Sequence, residues 1–175
     1  MSTFHTLTSV SAGRATLVLR GPDGPVHGII LWPRPPVLDP ADAPERPHPV
    51  AVVVSPRSGA PVPADALARS FAAGGSLVLS LTVPGDADDA AAAGAVRTAV
   101  EWIAEHAHEL DGDPRRLTLV GQAGVTGLVA DVAATADENG GPTIGQLLLL
   151  RAGPDPPRPA PVTYLVPRSE RRESS

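Results

Sequence analysis

Short apolar runs alternate with amphipathic stretches along this chain, and the period of each predicts its element. Ala15 to Arg20 (ATLVLR) and Val26 to Trp32 (VHGIILW) read as two strands, and Gly21-Pro22-Asp23-Gly24 between them is a strong turn signal. Val50 to Val54 (VAVVV) is a continuous apolar run, the pattern of a strand buried on both faces, and Ser76 to Val83 (SLVLSLTV) has the same character. Between them, Ala64 to Ala73 sets Leu67 and Phe71 at helical spacing and ends at Gly74-Gly75. Asp88-Asp89 opens a long helix reaching Leu110, with Val96, Val100, Ile103 and Ala107 as its inner stripe and aspartates at the positive end of its dipole.

Asp111-Gly112-Asp113-Pro114 breaks that helix, and Leu117 to Val120 (LTLV) predicts the next strand. Gly121 to Gly124 reads as a turn and Val125 to Ala136 as a helix, which Asn139-Gly140-Gly141-Pro142 stops. Ile144 to Leu150 and Val162 to Val166 complete the predicted strands. Pro33 to Pro49 carries seven prolines among acidic and basic residues, so it predicts an exposed connector. Strands alternating with helices predict an α/β fold: a three-layer α/β/α sandwich whose mostly parallel sheet has an N-terminal antiparallel hairpin. The expected organisation is a single domain over residues 1–166 and a disordered polar tail over 167–175.

Composition narrows the function classes. The chain has 175 residues, 42% of them hydrophobic, enough for a real core. Aromatics are 3%, which argues against stacking platforms for bases, and a net charge of −5 argues against a phosphate-binding surface; no nucleic-acid partner is expected. All 14 basic residues are arginine, which together with the abundant Ala, Gly and Pro matches the codon bias of a high-GC bacterial genome. The chain has no cysteine, so disulfides, thiolate zinc sites and thiol nucleophiles are excluded. Its N-terminus lacks a signal-peptide profile, and no apolar run approaches membrane-spanning length, so the expectation is a cytoplasmic protein with no membrane partner.

Three stretches together carry a family resemblance: Gly21-Pro22-Asp23-Gly24-Pro25, Asp65-Ala66-Leu67-Ala68-Arg69, and Val100-Glu101-Trp102-Ile103-Ala104-Glu105-His106-Ala107 continuing through Leu110-Asp111-Gly112-Asp113-Pro114-Arg115-Arg116-Leu117 to Gly121. Their order and spacing over Arg14 to Val166 resemble the hormone-sensitive-lipase-like branch of the α/β-hydrolases. The resemblance implies a strand-to-helix elbow, G-x-S-x-G, that exposes a nucleophilic serine. Here the elbow reads Gly121-Gln122-Ala123-Gly124-Val125, and a methyl group cannot attack a carbonyl. The nearest hydroxyl, Thr126, falls inside the following helix.

The family's glycine-rich oxyanion loop is replaced by Ser55-Pro56-Arg57-Ser58-Gly59, where proline has no N–H to donate. No histidine follows Val166, and the segment that usually forms a cap is reduced to Arg151 through Pro161. The resemblance therefore implies a reduced, capless α/β-hydrolase fold with no assignable catalytic residues.

Other candidates are weaker. Ser58 would need a base within reach, and the five histidines sit badly for it. His106 and His108 are two apart, on different helix faces, a poor metal pair. Asp86-Ala87-Asp88-Asp89 reads as a helix start, and Glu101, Glu105 and Glu109 as a solvated row. No metal or cofactor is expected.

Ligand sites of α/β sheets lie at the carboxyl ends of strands, which makes Arg57, Ser58, Gly59, Asp86, Gln122, Ala123, Gly124 and Arg151 the candidate small-molecule pocket. Two functional readings follow. One is a pseudo-hydrolase acting as a binding, scaffold or accessory protein, with the Val162–Val166 strand as an open edge for a homodimer or a partner chain. The other is a non-hydrolytic enzyme of bacterial specialised metabolism, a cyclase, isomerase or lyase, that uses the crevice above the elbow.

Overall fold

A computed structural model describes residues 6–11, 13–33, 47–57, 63–83, 89–138, 140–151 and 160–164. The elements run β1 (Thr6–Ser11), β2 (Arg14–Gly21), β3 (Gly24–Leu31), β4 (His48–Pro56), α1 (Ala64–Ala73), β5 (Leu77–Val83), α2 (Asp89–His106), β6 (Gly112–Gly121), α3 (Thr126–Glu138), β7 (Gln146–Arg151) and β8 (Ala160–Tyr164). The eight strands form one sheet in the order β1-β2-β3-β5-β4-β6-β7-β8. Its centre, β5-β4-β6-β7, is parallel. The β2–β3 hairpin joins it antiparallel through β3.

Alternation along the central strands sorts the core into two layers. Val50, Val52 and Val54 of β4 face α2 and α3 together with Leu79, Leu119, Val96, Ile103 and Val129. Ala51 and Val53 face the other way, against Ala68 and Ala72 of α1, with Val78 and Val120 beside them. Each fully buried leucine or valine of this kind contributes about 1.5–3 kcal/mol. With α1 on one face and α2 and α3 on the other, the expected three-layer α/β/α sandwich is present. The predicted inner stripe of α2 is buried throughout.

The structure departs from the sequence expectations at the ends of elements. β1 was not predicted: Thr6-Leu7-Thr8-Ser9-Val10-Ser11 carries a weak apolar signal, and its strand character comes from antiparallel pairing with β2. α2 stops at His106, and residues 107–110 tighten into a 3-10 turn before Asp111, which takes a left-handed conformation at φ 60°. Strand β6 then starts at Gly112, five residues earlier than expected, because Gly112 and Asp113 pair with His48 and Pro49.

The same pairing pulls His48 and Pro49 out of the predicted connector and into β4; connector residues 34–46 lie outside the described residues. β8 covers Ala160–Tyr164 and runs antiparallel to β7, a second antiparallel margin that was not foreseen. Its link to β7, residues 152–159, is too short for a parallel crossover, which needs a dozen residues or more. Leu165, Val166 and the predicted tail at 167–175 lie outside the described residues.

Candidate functional site

The chain leaves β4 for α1 on one face of the sheet and leaves the adjacent β6 for α3 on the other. The carboxyl ends of β4 and β6 therefore flank a topological switch point, where a crevice opens in doubly wound sheets. Two peptide segments meet there: Ser55-Pro56-Arg57 at the end of β4, and Gln122-Ala123-Gly124-Val125 after β6.

The second segment is a tight turn. The Val125 amide donates to the Gln122 carbonyl at 3.0 Å, and Gly124 sits third with φ +98°. A β-turn of this kind needs positive φ at its third residue, so glycine is the residue that fits. Ala123 is not among the residues of positive φ, so the strained conformation of the turn belongs to Gly124. Ala123 stands half-buried at the apex. Behind it, Gly121 lets α3 pack directly on β6: a Cβ at Gly121 would lie 2.9 Å from the Val129 Cβ.

Gln122 ties the two segments together. Its amide donates to the Val54 carbonyl at 3.0 Å, and its side-chain Nε2 donates to the Ser55 hydroxyl at 2.9 Å. Ser55 and Gln122 are both 0% exposed, and the Gln122 Oε1 has no hydrogen-bond partner among the described residues. Pro56 closes over the turn, its ring 3.3 Å from where a Gly124 side chain would start. The Ser55-Pro56 segment thus packs on the β6–α3 turn through a proline ring and a buried side-chain hydrogen bond.

The remaining candidates are dispersed. The Arg57 amide donates to the Val83 carbonyl at 2.8 Å, and its exposed side chain lines a groove on the α1 face. Arg151 is exposed at the end of β7. Ser58, Gly59 and Asp86 lie outside the described residues. His106 stacks on Trp102 with ring centroids 4.8 Å apart, its Nδ1 2.9 Å from the Trp102 carbonyl oxygen. His108 is exposed, 4.0 Å from Glu109. Both histidines precede β6, whereas the elbow follows it, about 20 Å away along the β4–β6 ladder at the usual rise per residue. Glu101, Glu105 and Glu109 are exposed.

Among the described residues no cluster of acidic and histidine side chains could hold a metal ion. No described helix is long and apolar enough to cross a membrane. Sequence reading missed one assembly of polar groups, the groove on the α1 face that also holds Arg14, His27 and Ser80. Its signal was the alternation of polar with apolar residues along β2, β3 and β5.

The sheet order, the switch point and the strand–turn–helix at Ala123 define the α/β-hydrolase fold. Solved structures agree. The chain superposes on a bacterial heroin esterase with a TM-score of 0.59 and 20% identity, covering 81% of this chain and 46% of that one. A thermophilic carboxylesterase cloned from a metagenomic library gives 0.62 at 17% identity, covering 82% and 48%. The esterase LipW from Mycobacterium marinum gives 0.56 at 24% identity, covering 82% and 46%. The chain spans about half the length of these esterases. No family model matches the sequence, and no curated protein matches it.

Proposed function

We propose that this chain is a catalytically degenerate α/β-hydrolase-like protein, serving as a binding, scaffold or accessory protein rather than hydrolysing esters. The observation that carries this reading is Ala123 at the apex of the turn between β6 and α3, where the fold otherwise presents its nucleophile. The packing around it points the same way. Proline occupies the segment that would donate backbone N–H groups to an oxyanion, and the Gln122–Ser55 bond fills the interior between the two strand ends. Relief of strain at position 123 fits a turn kept for architecture.

In this reading a small molecule would meet the exposed Arg57, Gly124 and Arg151 around Ala123, with Gln122 buried behind the turn. β8, at the end of the sheet order, offers an open edge for a second copy or a partner chain in the cytoplasm.

Turnover of p-nitrophenyl acetate tests the proposal on three proteins. Wild type and Ala123→Ser should both stay at the uncatalysed background. Robust wild-type turnover lost in Ser58→Ala overturns the reading, and so does activity gained by Ala123→Ser, which would reveal an intact base and oxyanion site.

A further inference from the structure

α1 covers β4 and β5 and only reaches the margin of β3, so part of the sheet on that face lies beside the helix rather than under it. There a groove of about 520 Å³ opens, a volume in the usual range for small-molecule sites. Its floor follows from the register. Thr16 of β2 pairs with Ile29 of β3, which pairs with Ser80 of β5, so these three side chains share one row and one face. His27 and Thr82 line the groove nearer the carboxyl end of β5, where Arg57 and the start of α1 also stand. Arg14, in the row of Val78, closes the opposite end.

The chemistry of this lining is that of a receptor for an oxyanion. The one carboxylate on the groove among the described residues, Asp65, is engaged by Arg69 at 2.7 Å. Arg14 and Arg57 have no ion pair among the described residues, although the chain as a whole carries a net charge of −5. Two guanidinium groups, each able to grip a carboxylate or phosphate with a fork of N–H donors, thus flank a groove whose Asp65 carboxylate is paired with Arg69.

Ser80 adds a hydroxyl to the floor: the residue is 7% exposed and lines the groove. That hydroxyl reaches the solvent of the groove, where it can donate to a bound oxyanion. The first turn of α1 completes the Arg57 end. Pro63 precedes it without a side-chain cap, and Ala64 and Asp65 of that turn line the groove.

We propose that this groove is a binding site for a small organic anion, with its carboxylate or phosphate at the Arg57 end and its body on Thr16, Ile29 and Ser80. The site extends away from the elbow, from β4 toward β2, and stands whether or not chemistry occurs at Ala123. The positions of Arg14 and Arg57 at opposite ends favour an elongated ligand, whose far end Arg14 would meet when that end is also anionic.

Nitrogen-detected NMR titration of the full chain tests this with three anions, inorganic phosphate, succinate and suberate, and with the neutral dimethyl succinate as control. The expected result is saturable shifts of the Ala64, Asp65 and Ser80 amides and of the Arg57 Nε–H, with Kd about millimolar or tighter. The neutral ester should leave them unmoved. Arg57→Gln should raise Kd about tenfold or more and Ser80→Ala several-fold, with thermal midpoints unchanged. Tighter phosphate supports a phosphate end, and affinity rising from succinate to suberate supports use of Arg14. Absence of saturable shifts with every anion overturns the proposal, as does binding that neither Arg57→Gln nor Arg14→Gln weakens.

Discussion

At the scale of single residues, the junction between β4 and β6 is held by one buried polar pair and two glycine contacts. Removing one member of a buried hydrogen bond strands the other, at about 1–3 kcal/mol, whereas removing both together is much cheaper. Ser55→Ala should therefore lower the urea unfolding free energy by about 2 kcal/mol, and Ser55→Ala with Gln122→Leu should recover most of that loss. Gly121→Ala should cost about 1–3 kcal/mol, because the new methyl must displace Val129 and with it α3; circular dichroism melts of the two proteins check it. The sequence shows Gly121 as the first glycine of a G-x-S-x-G-like elbow, but its contact with Val129 is visible only in the fold. The Gln122–Ser55 bond was not legible: the partners are 67 residues apart, and nothing local distinguishes a rim glutamine from a buried one.

At the scale of elements, the interior strands and the three helices were readable because each is driven by its own apolar period. α1 matched residue for residue, β4 needed only extension at its ends, and β5 lost only Ser76 from the expected run. Missed features were those set by pairing. β1 has little apolar signal, the antiparallel sense of β8 depends on the length of its link, and the early start of β6 depends on His48 and Pro49. Asp111 marks that last junction with its left-handed backbone, which a β-branched side chain tolerates poorly. Asp111→Val should destabilise the fold by about 1–2 kcal/mol in chemical denaturation, and Asp111→Gly should be neutral or stabilising.

At the scale of the molecule, the sheet is strongest at its centre. β4 has a neighbour on each side and a helix layer on each face, while β1 and β8 each pair on one side. Native-state hydrogen exchange should show β4, β5 and β6 opening only with global unfolding and β1 and β8 exchanging first; equal protection at centre and margins would contradict this ordering.

That arrangement also carries a kinetic consequence during synthesis. β4 receives β6 only after the chain has grown by the 67 residues that separate Ser55 from Gln122. At 5–20 residues per second the wait is roughly 3 to 13 seconds on a ribosome. Through that interval Val50–Val54, an apolar β-branched run without charge or proline, has one of its two strand neighbours missing. The chain precedes it with Asp39, Asp42, Glu45 and Arg46 set among prolines, residues that resist strand pairing and repel foreign strands. The proline-rich stretch then acts as a gatekeeper for the nascent sheet, guarding its central strand until its second neighbour is made.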